Sequence, residues 1–166
     1  AVGTGGCGFE HVLGSVRAAL DGCNFREGCT QQVNARFLRP DAALAVIMIT
    51  DEDDCSAPPY STLFDPAQGA LDSPLGPLTS YRCFQYGNVC AGGDPGRATG
   101  ARQSCEPGSW DLDARHQLTP VEEIADFLKS LKSDPRKLYV SAIASPPGPV
   151  IVGEKSTFGK GTVQSM

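Results

Sequence analysis

The run Leu44 to Thr50, LAVIMIT, limits how this chain can fold more than any other stretch. It is apolar up to its closing threonine and of strand length. It lacks the alternation of a half-exposed strand, and so predicts a strand covered on both faces, as in a parallel sheet. Directly after it stand Asp51, Glu52, Asp53 and Asp54, then Cys55. Carboxylates this close repel one another, so water, a helix start or a cation has to take up their charge.

Two helical patterns flank this strand. Phe9, Val12, Leu13, Val16 and Leu20 recur at helical spacing after the glycine-rich GTGGCG, which predicts a loop leading into a helix with one buried face. Further on, Thr119 as N-cap, Pro120 at the first helical position and Glu122 after them read as a capping box. Val121, Ile124, Ala125, Leu128 and Leu131 supply the apolar stripe. A break at Ser133-Asp134-Pro135 precedes KLYVSAIA, a second buried-strand candidate. Strand, insertion, helix, strand is a βαβ crossover, and it predicts an α/β fold with a doubly wound, Rossmann-like parallel sheet. Ligands of such sheets bind at the carboxyl ends of strands, where the acidic cluster falls.

The remaining segments carry little periodicity. Residues 21–40 read as a connecting loop with a short helical piece around Gln31 to Phe37. Residues 56–118 hold most of the prolines, three cysteines and Trp110. A structureless loop of that length is improbable in a compact domain, so the stretch is expected to be a disulfide-tied insertion with short strands or turns.

The cysteines set the chemistry of the compartment. There are seven, Cys7, Cys23, Cys29, Cys55, Cys83, Cys90 and Cys105. None forms a CxxC pair, and neither His11 nor His116 lies at a zinc-finger spacing, so disulfides are expected and with them an oxidising environment. Cys83 is expected to pair with Cys90 around a Gly-Asn turn, Cys55 with Cys105 across the insertion, and Cys23 with Cys29, leaving Cys7 over. Spacing alone does not fix connectivity. The first residues, AVGTGGCGFE, have no charged or apolar leader pattern, which reads as a mature or truncated chain. No apolar run approaches the roughly eighteen residues that span a bilayer. The formal net charge of -5 with no basic run argues against nucleic acid and anionic membranes and favours cations as small partners.

Three uses compete for the acidic cluster: solvated acids complementing the dipole of a following helix, paired carboxylates for acid/base catalysis, or a hard-cation site. Pro58 and Pro59 leave little helix to follow, and no partner group for catalysis is identifiable. The segments VGTGGCGFEHVLGSVRAAL and RPDAALAVIMITDEDDCSA resemble the second half of a von Willebrand factor A domain, in the branch found in bacterial secreted or lipid-anchored surface proteins. The resemblance covers residues 1–147. It implies a metal-ion-dependent adhesion site built from three loops, in which Thr4 matches the threonine and Asp51 the third-loop aspartate. Glu52, Asp53 and Asp54 have no assigned place in that motif and are candidate additional acidic ligands. The Asp-x-Ser-x-Ser loop of the family is absent from the sequence, so the expectation is an N-terminally truncated, incomplete doubly wound sheet holding Mg²⁺ or Ca²⁺ weakly. The implied function is non-enzymatic: cation-dependent binding of a protein or cell-surface ligand by an extracytoplasmic domain, secreted, periplasmic or lipid-anchored at the outer surface.

Residues 148–166 form a separate tail. Its VIVGEKSTFGKGTVQSM is similar to the segment around the catalytic lysine of C-terminal processing peptidases, Ser-Lys enzymes in which Lys160 would be the base. That is the alternative reading of the chain. A serine such as Ser145 or Ser156 would have to reach Lys160. The glycines and the terminal position of residues 153–166 predict a mobile segment with solvated lysines, without peptidase activity.

Overall fold

The computed structural model describes residues 9–21, 37–59, 61–108, 117–145 and 149–153, and the backbone of 162–165. Leu44–Ile49 forms strand β1, as its β-branched and apolar side chains favour. It pairs in parallel with β5, Leu138–Ile143, in the register Leu44 to Leu138 through Ile49 to Ile143. Helix α1, Val12–Asp21, precedes β1, and helix α3, Val121–Ser130, lies between β1 and β5 in the chain. The predicted strand–insertion–helix–strand order is present, which makes the layer α/β.

Both helices pack on the same face of the pair. Leu44 and Val46 are buried with Ile124 and Leu128 of α3, and Leu13, Val16 and Leu20 of α1 close the cluster. Each such side chain contributes about 1.5–3 kcal/mol when fully buried. An ion pair from Arg17 to Glu123, with the Arg17 guanidinium 5.5 Å from the centre of the Phe127 ring, holds the helices side by side. The expectation that both faces of LAVIMIT are covered is therefore corrected. Among the described residues Ile47 and Ile49 are 65% and 70% exposed, because no helix reaches their side. The second strand is likewise exposed over most of its length rather than buried.

The cap of α3 also differs from the expectation. Pro120 occupies the N-cap and no side chain closes it. Thr119 instead donates its N–H to the Ser56 carbonyl, 2.7 Å away. Glu122 and Glu123 in the first turn complement the helix dipole.

The region between Cys55 and Pro107 is an insertion with real structure, including a short helix that was not anticipated, α2, Tyr81–Gly87. It runs into β2, Asn88–Val89, which pairs antiparallel with β4, Glu106–Pro107. Strand β3, Gly100–Arg102, pairs with β6, Val150–Gly153, and β6 with β7, Thr162–Ser165. The tail is thus strapped to the insertion. Val152 is buried with Tyr81, Phe84 and Cys90, and the pairing of β6 with β7 corrects the expectation of a mobile segment at Gly153 and at Thr162–Ser165. Residues 154–161, with Lys155, Ser156 and Lys160, lie outside the described residues.

Four of the six cysteines expected to bridge do so with exchanged partners. Cys55 bonds Cys83, and Cys90 bonds Cys105. The reason is local structure. Residues 84–87 continue a helix instead of turning a hairpin, which separates Cys83 from Cys90. The β2–β4 register, Asn88 to Pro107 and Val89 to Glu106, then leads directly to Cys90 beside Cys105. Cys7, Cys23, Cys29 and the helical piece expected from Gln31 fall outside the described residues.

Arginines replace much of the missing regular hydrogen bonding in the insertion. Arg82 is fully buried and donates to the carbonyls of Leu63 (2.6 Å), Pro77 (3.1 Å), Gln68 and Gly76. Arg102 donates to the carbonyls of Pro95, Ala98 and Gly100, and Arg97 to that of Leu75. Irregular backbone leaves carbonyls that strands would have paired, and a guanidinium with five donors can satisfy several at once. Burial first, then the neighbouring Arg97 charge, pulls the Arg82 guanidinium below its usual range.

Candidate functional site

The acidic loop leaves the carboxyl end of β1, where the Thr50 N–H still bonds the Ile143 carbonyl at the end of β5. The four acids then part company. Asp51, Glu52 and Asp53 are exposed as residues, whereas Asp54 turns inward. Its Oδ1 accepts the Leu13 N–H at 2.9 Å, and Ser56 Oγ accepts the Gly14 N–H at 2.7 Å. Ser56 Oγ donates to Asp54 Oδ1, and the Ser56 N–H bonds Asp54 Oδ2. Leu13 and Gly14 stand in the first turn of α1, whose leading N–H groups have no partner within the helix. Asp54 and Ser56 therefore cap α1 from 41 and 42 residues further along the chain. The fit is close: a Cβ at Gly14 would meet Ser56 Oγ at 3.2 Å.

Cys55, between them, points the other way. It is buried and bonded to Cys83 of α2, while its N–H donates to the Glu10 carbonyl at 2.7 Å. Asp54, Cys55 and Ser56 thus form a clasp joining the start of α1, the start of α3 and the insertion. Part of the question posed by four clustered acids is answered here: one of them neutralises a helix start, that of the preceding helix and not of a following one.

Beside the clasp lies a cavity of about 180 Å³ lined by Leu13, Asp53, Asn88, Thr119 and Val121 among others. Partial desolvation of its carboxyl, in a residue exposed as a whole, pushes Asp53 above its ordinary range. Glu52 is also raised, by desolvation first and then by the charges of Asp51, Asp53 and Glu10. Glu10 joins the acids because its backbone bridges to Asp54 in parallel fashion. The outcome is a patch of Glu10, Asp51, Glu52 and Asp53 that no described cation neutralises through an ion pair.

The predicted ligands divide accordingly. Asp51 and Glu52 are accessible at the strand end, Asp53 borders the cavity, Asp54 is committed to the clasp, and Thr4 lies outside the described residues. Thr50 Oγ is engaged with the backbone of Glu52 at 3.1 Å. Among the described residues no three Asp, Glu, His or Cys side chains are grouped so as to hold a metal ion. The described donors alone do not make a complete cation site. For the alternative reading, Ser145 is exposed after β5, and its distance to Lys160 lies outside the described residues.

Sequence reasoning missed Ser56 and Glu10. Asp and Ser are each familiar N-cap residues, but the helix they cap is looked for immediately downstream. Here the capped helix lies upstream, so only the tertiary fold discloses it.

Comparison with family models, with curated proteins and with solved structures yields no match to this chain. Two disulfides are present among the described residues, and no described helix is long and apolar enough to cross a membrane.

Proposed function

We propose that this chain is a non-enzymatic, extracytoplasmic binding domain of the von Willebrand factor A type, recognising a protein or cell-surface ligand with the help of a divalent cation. The observation that carries the reading is Asp51. It stands exposed at the carboxyl end of a parallel strand, in a patch of like charge, where open α/β sheets present their ligand-binding groups. Mg²⁺ and Ca²⁺ take oxygen ligands, and a patch of carboxylates lowers its own repulsion by admitting one. With no Asp-x-Ser-x-Ser loop in the sequence to complete the shell, binding is weak and water fills the remaining positions. The disulfides fit an oxidising compartment.

Calorimetric titration with Mg²⁺ and with Ca²⁺ tests this. The expected dissociation constant is on the order of 1 mM, comparable to open extracellular sites, and binding is lost in Asp51→Ala. Equal binding by the parent chain and Asp51→Ala removes Asp51 from the role. Micromolar binding that Asp51→Ala abolishes contradicts an incomplete site.

A further inference from the structure

The two described bridges differ in what surrounds their sulfurs. Cys55 and Cys83 are each 1% exposed, in the contact between the clasp and α2. Cys83 borders the smaller cavity beside the clasp and is still closed to solvent. Cys90 is also buried, but its partner Cys105 is half-buried and lines an open cleft of about 370 Å³ with Arg102, Ser104, Pro149 and Val150. A disulfide is cleaved by a thiolate that reaches one of its sulfurs, so access decides which bridge reacts, and exposed bridges are the labile and regulatory ones. Cys105 offers that access.

The same bridge holds the tail in place. It closes residues 91–104, and this loop carries β3, the strand that pairs with β6. The three residues of β3 bury no side chain fully, and Gly100 and Ala101 are exposed. Apart from the bridge, the base of the loop is joined by the Ala91 N–H on the Gln103 carbonyl, 2.9 Å away. The bonds of Tyr81 Oη to the Gly96 carbonyl and of Arg97 to that of Leu75 anchor the tip of the loop and not β3. Cys90 also belongs to the apolar cluster that buries Val152 of β6 with Tyr81 and Phe84, and Cys105 and Val150 pack against it. Cutting the bridge therefore loosens β3 and the seat of β6 together.

We propose that Cys90–Cys105 is a redox latch: reduced by a dithiol, it releases β3 and with it β6 from α2, while Cys55–Cys83 keeps the clasp closed. The first thiolate of the dithiol attacks Cys105 Sγ and forms a mixed disulfide as the Cys90–Cys105 bond breaks. Cys90 leaves as a thiolate and takes up a proton. The second sulfur of the dithiol, deprotonated, then displaces Cys105, which is protonated in turn. Two electrons and two protons have passed to the bridge, and the dithiol departs as its own disulfide. The latch is independent of cation binding at Asp51, because the loop that carries Asp51 is fixed through Asp54, Cys55 and Ser56.

Timed exposure of the full chain to dithiothreitol, quenched by alkylation and read by peptide mapping, tests which bridge opens. Cys90 and Cys105 are expected to be alkylated together, at least about tenfold faster than Cys55 and Cys83. Hydrogen exchange of the chain reduced at this bridge alone tests the release. Amides of β3 and β6 are expected to exchange at least about tenfold faster than in the oxidised chain, while those of α1 and α3 do not change. Cleavage of Cys55–Cys83 first, or at the same rate, overturns the proposal. So does exchange at β3 and β6 that is indifferent to the bridge, and so does an increase spread equally over α1 and α3, which would make the bridge a support of the whole fold.

Discussion

The helical layer and the insertion reach order by different physics. In the layer, Leu44, Val46, Ile124 and Leu128 bury apolar surface between a two-stranded sheet and two helices, and the backbone is satisfied by its own regular structure. In the insertion the apolar clusters are small, around Tyr81 and Phe84 and around Leu63 and Leu75. Disulfides and arginines on carbonyls make up the difference. The Cys55–Cys83 and Cys90–Cys105 bridges close sequence separations of 28 and 15, which in the chain-entropy account stabilise by about 3–4 kcal/mol each. The contrast shows that a segment poor in periodicity can still be well defined once something other than periodic packing satisfies its polar backbone.

The largest expected effect falls on Arg82. Arg82→Met leaves the buried Leu63 carbonyl and the part-buried carbonyls of Gln68, Gly76 and Pro77 without these donors, at a cost of about 3–4 kcal/mol. Ile124→Val in the layer removes one methylene and costs about 1 kcal/mol. Urea melts of the two variants check the ranking, and an Arg82→Met variant no less stable than Ile124→Val would erase the distinction between the regions.

A smaller loss is expected at the clasp where the regions meet. Asp54→Ala removes the acceptor of the Leu13 N–H and costs about 1–2 kcal/mol, while Asp54→Asn, which keeps an oxygen acceptor, costs less. The same melts read it, with helical circular dichroism reporting on α1. Asp54→Ala at parent stability would mean that α1 does not depend on its distant cap.

The smallest effect concerns pH. The Asp53 carboxyl is held above its ordinary range by burial, so the folded chain binds this proton more readily than the unfolded one. Folding is then penalised at neutral pH, and the penalty fades as pH falls through the raised value toward the unfolded one. Asp53→Asn should therefore raise the melting temperature slightly at pH 7 and leave it unchanged near pH 3, where both states are protonated in the parent. An increase of the same size at both pH values would show that the carboxylate charge is not the cause.

Much of the layer was legible in the sequence because its signals are local and periodic. LAVIMIT, the stripe from Val121 to Leu131 and KLYVSAIA gave both strands, the second helix and their βαβ order. One face of the sheet was misjudged, since continuous apolarity says that a strand is suited to burial and not what is present to bury it. The insertion was legible only as an insertion. Its α2 contains Arg82, Cys83 and Gly87 rather than a clean apolar stripe, and the disulfide pairing followed from that helix and from the β2–β4 register, neither of which spacing discloses. Of the acidic loop, Asp51 was read at the strand end where it stands. The commitment of Asp54 to a helix 41 residues earlier depends on how the chain returns past itself.

Hydrogen exchange followed by mass spectrometry, on the parent and on a variant with Cys55, Cys83, Cys90 and Cys105 each replaced by serine, addresses the division between the regions most directly. The account predicts that removing the bridges strips protection from α2, β2, β4 and β6 while β1, α3 and β5 keep most of theirs, because the layer rests on its own apolar contacts. Protection lost equally across β1, α3 and β5 would contradict it and make the bridges the support of the whole molecule.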